Sequence, residues 1–195
     1  MADFEASIVL AGVGGQGTLI AGKLLGILSL KLGLDVKVSE VHGMSQRGGD
    51  VQSHLRLSTD EIWSDLIPHA SADLVISMEP MESLRYLAWL SASGTVVTSS
   101  KPFVNIPDYP AAELLQGELA ALPSVVSLDI EQIARDLSSP RSANMVLLGM
   151  AAPYIGILQI EQLRDAIITV FSRKGQAVVE ANLKAFDAGV AAASK

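Results

Sequence analysis

The sequence contains no cysteine in its 195 residues. Disulfides, thiolate nucleophiles and cysteine-held zinc or iron–sulfur clusters are therefore excluded from this chain. Basic residues are scarce: 14 Lys and Arg stand against 21 Asp and Glu, a formal charge of −7 that repels nucleic acid and anionic lipid headgroups. Any anion must be held locally. The only histidines, His42, His54 and His69, lie far apart and lack acidic or cysteine companions at metal-ligand spacings, so no metal site is expected. No apolar run reaches membrane-spanning length, and the opening MADFEASIVLAG carries two acids and no basic region, unlike a secretory signal. The expectation is a cytosolic (cytoplasmic) protein with neither nucleic acid nor membrane as partner.

What is present is a chain 49% hydrophobic, able to bury one sizeable core, whose length fits a single domain over 1–195. Apolar, strand-like runs alternate with helical periodicity. SIVLA (7–11) reads as a buried strand, Thr18 to Leu32 as a helix closed by Gly33, and DVKVSE (35–40) as the next strand. These make one βαβ unit with parallel strands and a right-handed crossover. VQSHLRL (51–57) alternates, with Val51, Ser53, Leu55 and Leu57 on one face, as an edge strand or half of a hairpin. ADLVISM (72–78) is a further buried strand, with Pro80 suited to the first turn of the helix after it. GTVVTS (94–99) and SVVSLDI (124–130) complete the strands. Four of the eight prolines lie between Pro102 and Pro123, marking a loop excursion with one short helix from Ala111 to Ala120. EQIARDL and the stretches from Ala143, Ile160 and Gln176 read as helices. The pattern predicts an α/β, Rossmann-like, doubly wound and mostly parallel sheet with a helical C-terminal third.

Two glycine-bearing stretches carry the candidate chemistry. In IVLAGVGGQGTLIAGKLLG (8–26), Gly12, Gly14 and Gly17 fit G-x-G-x-x-G between a strand and a helix, the setting in which backbone amides at a helix start face a phosphate. Gly15, Gln16 and Thr18 complete that turn. Glu40, near the end of the second strand, is placed to accept hydrogen bonds from a ribose diol. Alternatively, the glycines make only a tight turn and Glu40 is solvated. A P-loop is excluded, because Thr18 stands where lysine is required. The second stretch, EVHGMSQRGGD (40–50), places His42, Ser45, Gln46 and Arg47 between Gly43 and the pair Gly48 and Gly49. In a parallel sheet it lies beside the first turn, and Arg47 would supply a fixed cation for a phosphate or carboxylate, unless the stretch is a polar surface loop. GMSQRG is not a nucleophile elbow, since Arg47 replaces the second glycine of G-x-S-x-G. Glu79, Ser99, Ser100 and Lys101 end strands at the same edge and either line a site or are solvated or capping residues.

GVGGQG, EVHGMSQRGGDVQSHLR, LIPHASADLVISMEPMESLR, NMVLLGM and NLKAFDAG together resemble the gamma-type component of 2-oxoacid:ferredoxin oxidoreductases over nearly the whole chain. Within that family the resemblance is to the small (beta) subunits of the indolepyruvate ferredoxin oxidoreductase branch. It implies a subunit of an enzyme that oxidatively decarboxylates an aryl 2-oxoacid, transfers the acyl group to coenzyme A and reduces ferredoxin. Such chemistry needs thiamine diphosphate with magnesium, and iron–sulfur clusters. The chain has no cysteine for a cluster, and its three asparagines, Asn105, Asn144 and Asn182, are too far apart to form the paired-asparagine magnesium motif of thiamine enzymes. Those cofactors are therefore expected in a larger partner subunit, with this chain inactive alone and no catalytic residue assigned in it. Coenzyme A is the candidate ligand of the two glycine loops.

Two other readings use the same residues. One is a free-standing NAD-binding oxidoreductase, although no catalytic Tyr-Lys, cysteine or histidine arrangement accompanies the glycine motif. The other is a purely structural assembly module with an empty turn. A mean hydropathy of +0.38 and the scant polar faces of helices 18–32 and 143–155 suggest apolar surface that meets another chain, or simply an alanine-rich core.

Overall fold

The computed structural model describes residues 3–43 and 48–194. Six strands, β1 (Glu5–Val13), β2 (Asp35–His42), β3 (Asp50–Ser58), β4 (Ala72–Ser77), β5 (Leu90–Ser99) and β6 (Val125–Leu128), form one sheet in the order β2-β3-β1-β4-β5-β6. Helix α1 (Thr18–Lys31) links β1 to β2, α2 (Pro80–Arg85) and α3 (Ala112–Ala120) flank β5, and α4 (Ile130–Asp136) follows β6. Helices α5 (Ala143–Ala151), α6 (Ile160–Phe171) and α7 (Gln176–Ala193) form the helical C-terminal third. The architecture is the expected α/β fold, with β1, β4, β5 and β6 mutually parallel.

One expectation is corrected. β2 runs in the same direction as β1 but does not adjoin it, because β3 lies between them, antiparallel to both. The stretch 43–49 is too short for the crossover that a parallel neighbour requires, so β3 folds back along β2 as a hairpin. Pairing with both β1 and β2 sets its place, and Ser53, Leu55 and Leu57 are fully buried on one face of this inner strand.

Ile8, Leu10, Leu55, Leu57, Leu74, Ile76 and Val97 face one core with α1, α5 and the last helices. Val9, Ala11, Val75 and Val96 face the smaller second core, closed by Ile67, Tyr86 and Leu119. Every residue of α5 is buried. Its apolar character is therefore absorbed within the chain and needs no outside partner. A Cβ on Gly149 would stand 2.0 Å from the Phe186 carbonyl oxygen, and one on Gly189 2.0 Å from that of Val146, so α5 and α7 touch backbone to backbone.

Candidate functional site

The turn after β1 is built from within. The Val13 amide donates to Gln16 Oε1 (2.8 Å) and the Gln16 amide to the Val13 carbonyl (3.1 Å), so the glutamine side chain and backbone close the loop on itself. Gly15 and Gly17 hold φ of 102° and 84°, conformations an L side chain rarely adopts. A Cβ on Gly12 would lie 2.4 Å from Thr18 Oγ1. No side chain caps α1; the Ile20 amide donates to the Gly17 carbonyl (3.1 Å), which leaves the Thr18 and Leu19 amides for an anion or water. Thr18 is buried, and its hydroxyl has no hydrogen-bond partner among the described residues.

The second glycine stretch does meet this turn. The Gly14 amide donates to the Gly49 carbonyl (2.7 Å) and the Gly48 amide to the Gly14 carbonyl (3.3 Å). Sheet pairing requires this approach, because Asp50 at the start of β3 is opposite Val13 at the end of β1. Ser45, Gln46 and Arg47 lie outside the described residues, as does the side chain of His42, whose backbone ends β2.

On the other side of the turn is a cavity of about 540 Å³ whose walls include Gly15, Gln16, Gly17, Arg135, Arg141 and Asn144. Arg141 is exposed, sits in the short 3-10 turn before α5, and pairs with no carboxylate among the described residues. Arg135 donates to Gln132 Oε1 (2.9 Å) and keeps Glu131 at 4.0 Å. Asn144, only 6% exposed, donates from Nδ2 to the Gly17 carbonyl (3.3 Å), which joins α5 to the start of α1. Two guanidinium groups and an uncapped helix start border this cavity together with the Glu131 carboxylate, which pairs with Arg135 and Lys101. Arg141, without a carboxylate partner among the described residues, is the cation placed to meet a phosphate-bearing ligand. The sequence reading did not single out Arg135, Arg141 or Asn144 for this role. They come from segments about 120 residues from the glycine turn, with no motif spacing to mark them.

Glu40 is not at that cavity. With β3 intervening, β2 is two strand spacings from β1, roughly 10 Å, and Glu40 borders a separate groove with Leu19, Lys23 and Val38. Glu79 is fully buried and caps α2, accepting from the Glu82 amide at 2.9 Å. Ser99 Oγ accepts from the Lys101 amide (3.2 Å), and Lys101 Nζ lies 3.6 Å from Glu131. No group of three His, Cys, Asp or Glu that could hold a metal occurs among the described residues. No helix among them is long and apolar enough to cross a membrane.

A family model described as pyruvate ferredoxin/flavodoxin oxidoreductase matches residues 7–192. The indolepyruvate oxidoreductase subunit IorB of Pyrococcus horikoshii is 36% identical over 98% of this chain and 97% of its own length. The keto/oxoacid ferredoxin oxidoreductase gamma subunit of Geobacter sulfurreducens superposes with a TM-score of 0.70 at 25% identity, covering 97% of this chain and 98% of that one. The 2-oxoglutarate:ferredoxin oxidoreductase of Magnetococcus marinus, solved with 2-oxoglutarate, coenzyme A and succinyl-CoA bound, has the same fold, with a TM-score of 0.75 at 22% identity. There the match covers 97% of this chain and 31% of the other. The chain belongs to the pyruvate ferredoxin/flavodoxin oxidoreductase family.

Proposed function

We propose that this chain is the subunit without redox cofactors of a thiamine-dependent 2-oxoacid oxidoreductase acting on indolepyruvate, and that it holds the anionic part of coenzyme A. The overall reaction decarboxylates the 2-oxoacid, transfers the acyl group to the coenzyme A thiol and passes two electrons to ferredoxin. Thiamine diphosphate, magnesium and iron–sulfur clusters do not fit the donor set of this chain, which has no cysteine and no three-residue His, Cys, Asp or Glu cluster among the described residues. They are assigned to a larger partner subunit, and this chain alone is inactive.

The observation that carries the reading is the cavity in which Arg135 and Arg141 stand over the uncapped start of α1. Their guanidinium groups would pair with phosphate oxygens while the Thr18 and Leu19 amides donate to the same group. Arg47, on the adjoining glycine loop, is a further candidate cation. The NAD-binding alternative loses its ribose acceptor, because Glu40 lies across β3 from the turn.

The test is anaerobic assembly with the larger subunit, followed by indolepyruvate-dependent ferredoxin reduction at varied coenzyme A. Arg141→Ala is expected to raise the apparent KM for coenzyme A about tenfold with kcat nearly unchanged, the loss of one charge-assisted hydrogen bond. An unchanged KM in both Arg141→Ala and Arg47→Ala would remove coenzyme A from these loops.

A further inference from the structure

The connection between β5 and α3 is fastened more firmly than an exposed loop requires. Glu79, fully buried just after β4, accepts through Oε1 from the Phe103 amide (3.2 Å) and from the Tyr109 hydroxyl. Its other oxygen caps α2. Asn105 donates its side-chain amide to the Gly48 carbonyl (2.9 Å), fixing the same loop to the second glycine stretch. A buried carboxylate is costly unless hydrogen bonds satisfy it, and two of those bonds come from this loop. Burial, and then the bond to Glu79, push the Tyr109 hydroxyl well above its ordinary ionisation range, so it remains a donor at any physiological pH.

Yet the loop turns three large apolar side chains to solvent. Phe103, Val104 and Ile106 are 44%, 71% and 41% exposed. A held backbone with exposed apolar side chains is pre-organised for association, because ordering it on binding costs little further entropy. We propose that Phe103, Val104 and Ile106 form the docking edge for the cofactor-bearing partner subunit, with Glu79 as the residue that positions it. The inference rests on the reading of this chain as a subunit of such an enzyme.

Two observations select that occupant. In the Magnetococcus enzyme this fold makes up 31% of a longer chain, so whatever the rest of that chain contributes is attached covalently, whereas a separate chain must hold any partner through its own surface. The loop also adjoins the second glycine stretch through Asn105 and Gly48, so a partner seated at that edge stands beside the candidate ligand loops. The other prominent exposed aromatic, Trp63 (88%), lies by Asp3, Phe4 and Glu5 at the start of β1, the far end of the sheet.

The experiment is co-expression of the full chain with the thiamine- and iron–sulfur-bearing subunit, with complex formation measured by light scattering after gel filtration. The double variant Val104→Asp/Ile106→Asp is expected to bind the partner at least about tenfold more weakly, while its circular dichroism and melting temperature match the parent. Trp63→Ser is expected to assemble as the parent does. Tyr109→Phe keeps the apolar side chains but removes one fastening. It is expected to speed amide exchange at 103–106 and to weaken assembly by a smaller factor. A double variant that assembles with parental affinity overturns the docking edge and leaves the subunit reading intact. A parent chain that does not associate with the larger subunit overturns that reading and this inference with it.

Discussion

Asn144 on the first turn of α5 donates its side-chain amide to the carbonyl of Gly17, 3.3 Å away and 127 residues earlier in the chain. A Cβ on Gly17 would stand 2.8 Å from that Nδ2 atom, so the contact and the glycine require each other. Through this bond, the helix beginning next to Arg141 fixes where the first turn of α1 lies. Asn144→Ala is expected to cost about 1 kcal/mol of stability, the ordinary net worth of such a bond. In the assembled enzyme it is also expected to raise the apparent KM for coenzyme A, since α1 is no longer held from α5. Denaturant unfolding and initial-rate kinetics on the same preparation check both.

Thr18 offers the opposite test. Its hydroxyl is buried without a partner among the described residues, so the native fold gains nothing from it. Thr18→Val, of nearly the same shape, is expected to leave stability unchanged within about 0.5 kcal/mol or to raise it, because a desolvated polar group is removed. A loss of more than about 1 kcal/mol in chemical denaturation would mean that the hydroxyl has a structural partner after all.

The contact between α5 and α7 sets a stability prediction away from the site. Gly149→Ala forces a methyl to within 2.0 Å of the Phe186 carbonyl oxygen, which is backbone and cannot swing aside. The helices must separate, at an expected cost of about 3 kcal/mol, the upper range for overpacking a core. The melting temperature of the purified variant reads this directly.

A pH dependence follows from His54. The Ile67 amide donates to its Nδ1 at 3.0 Å, so the neutral ring carries its proton on Nε2 and donates to the adjacent Gln52 side chain (2.6 Å), whose amide must turn its oxygen toward the ring. Burial holds the ring's ionisation below its ordinary value, with Asp65 acting in the opposite sense. A depressed histidine stabilises the fold at pH above the unfolded-state value, and that contribution disappears as pH falls below it. Stability is therefore expected to fall from about pH 7 to about pH 5. His54→Asn, which retains an acceptor for Ile67, is expected to flatten that decline in denaturation measured across the range.

Much of this was readable in advance, for local reasons. Pro80 lies in the first turn of α2, Gly33 closes α1 with φ of 76°, and the alternation in 51–57 placed Ser53, Leu55 and Leu57 on the buried face, because each signal depends on a few neighbouring residues. The position of β3 was not readable from that alternation alone, since hairpin, edge and central strands share it and only long-range pairing separates them. The capping of α2 by Glu79 was one of the alternatives its sequence left open, whereas its hold on Phe103 and Tyr109 depends on a loop 24 to 30 residues away. Arg135 and Arg141 stayed hidden for the same reason: a cavity wall shared between the first and last thirds of a chain leaves no spacing to read.

The hairpin of β2 and β3 has a consequence for how this chain can vary. A loop that leads from strand to helix cannot lengthen without shifting the helix and everything packed under it. The 43–49 connection is instead bounded at both ends by strands already locked into a regular ladder, from Asp35 opposite Ser58 to His42 opposite Val51. Changes between Gly43 and Gly48 spare that ladder and both cores so long as Gly48 and Gly49 keep their bonds to Gly14 and Asn105. Exchanges of residues in the middle of this connection are therefore expected to leave the ladder of β2 and β3 and both cores in register.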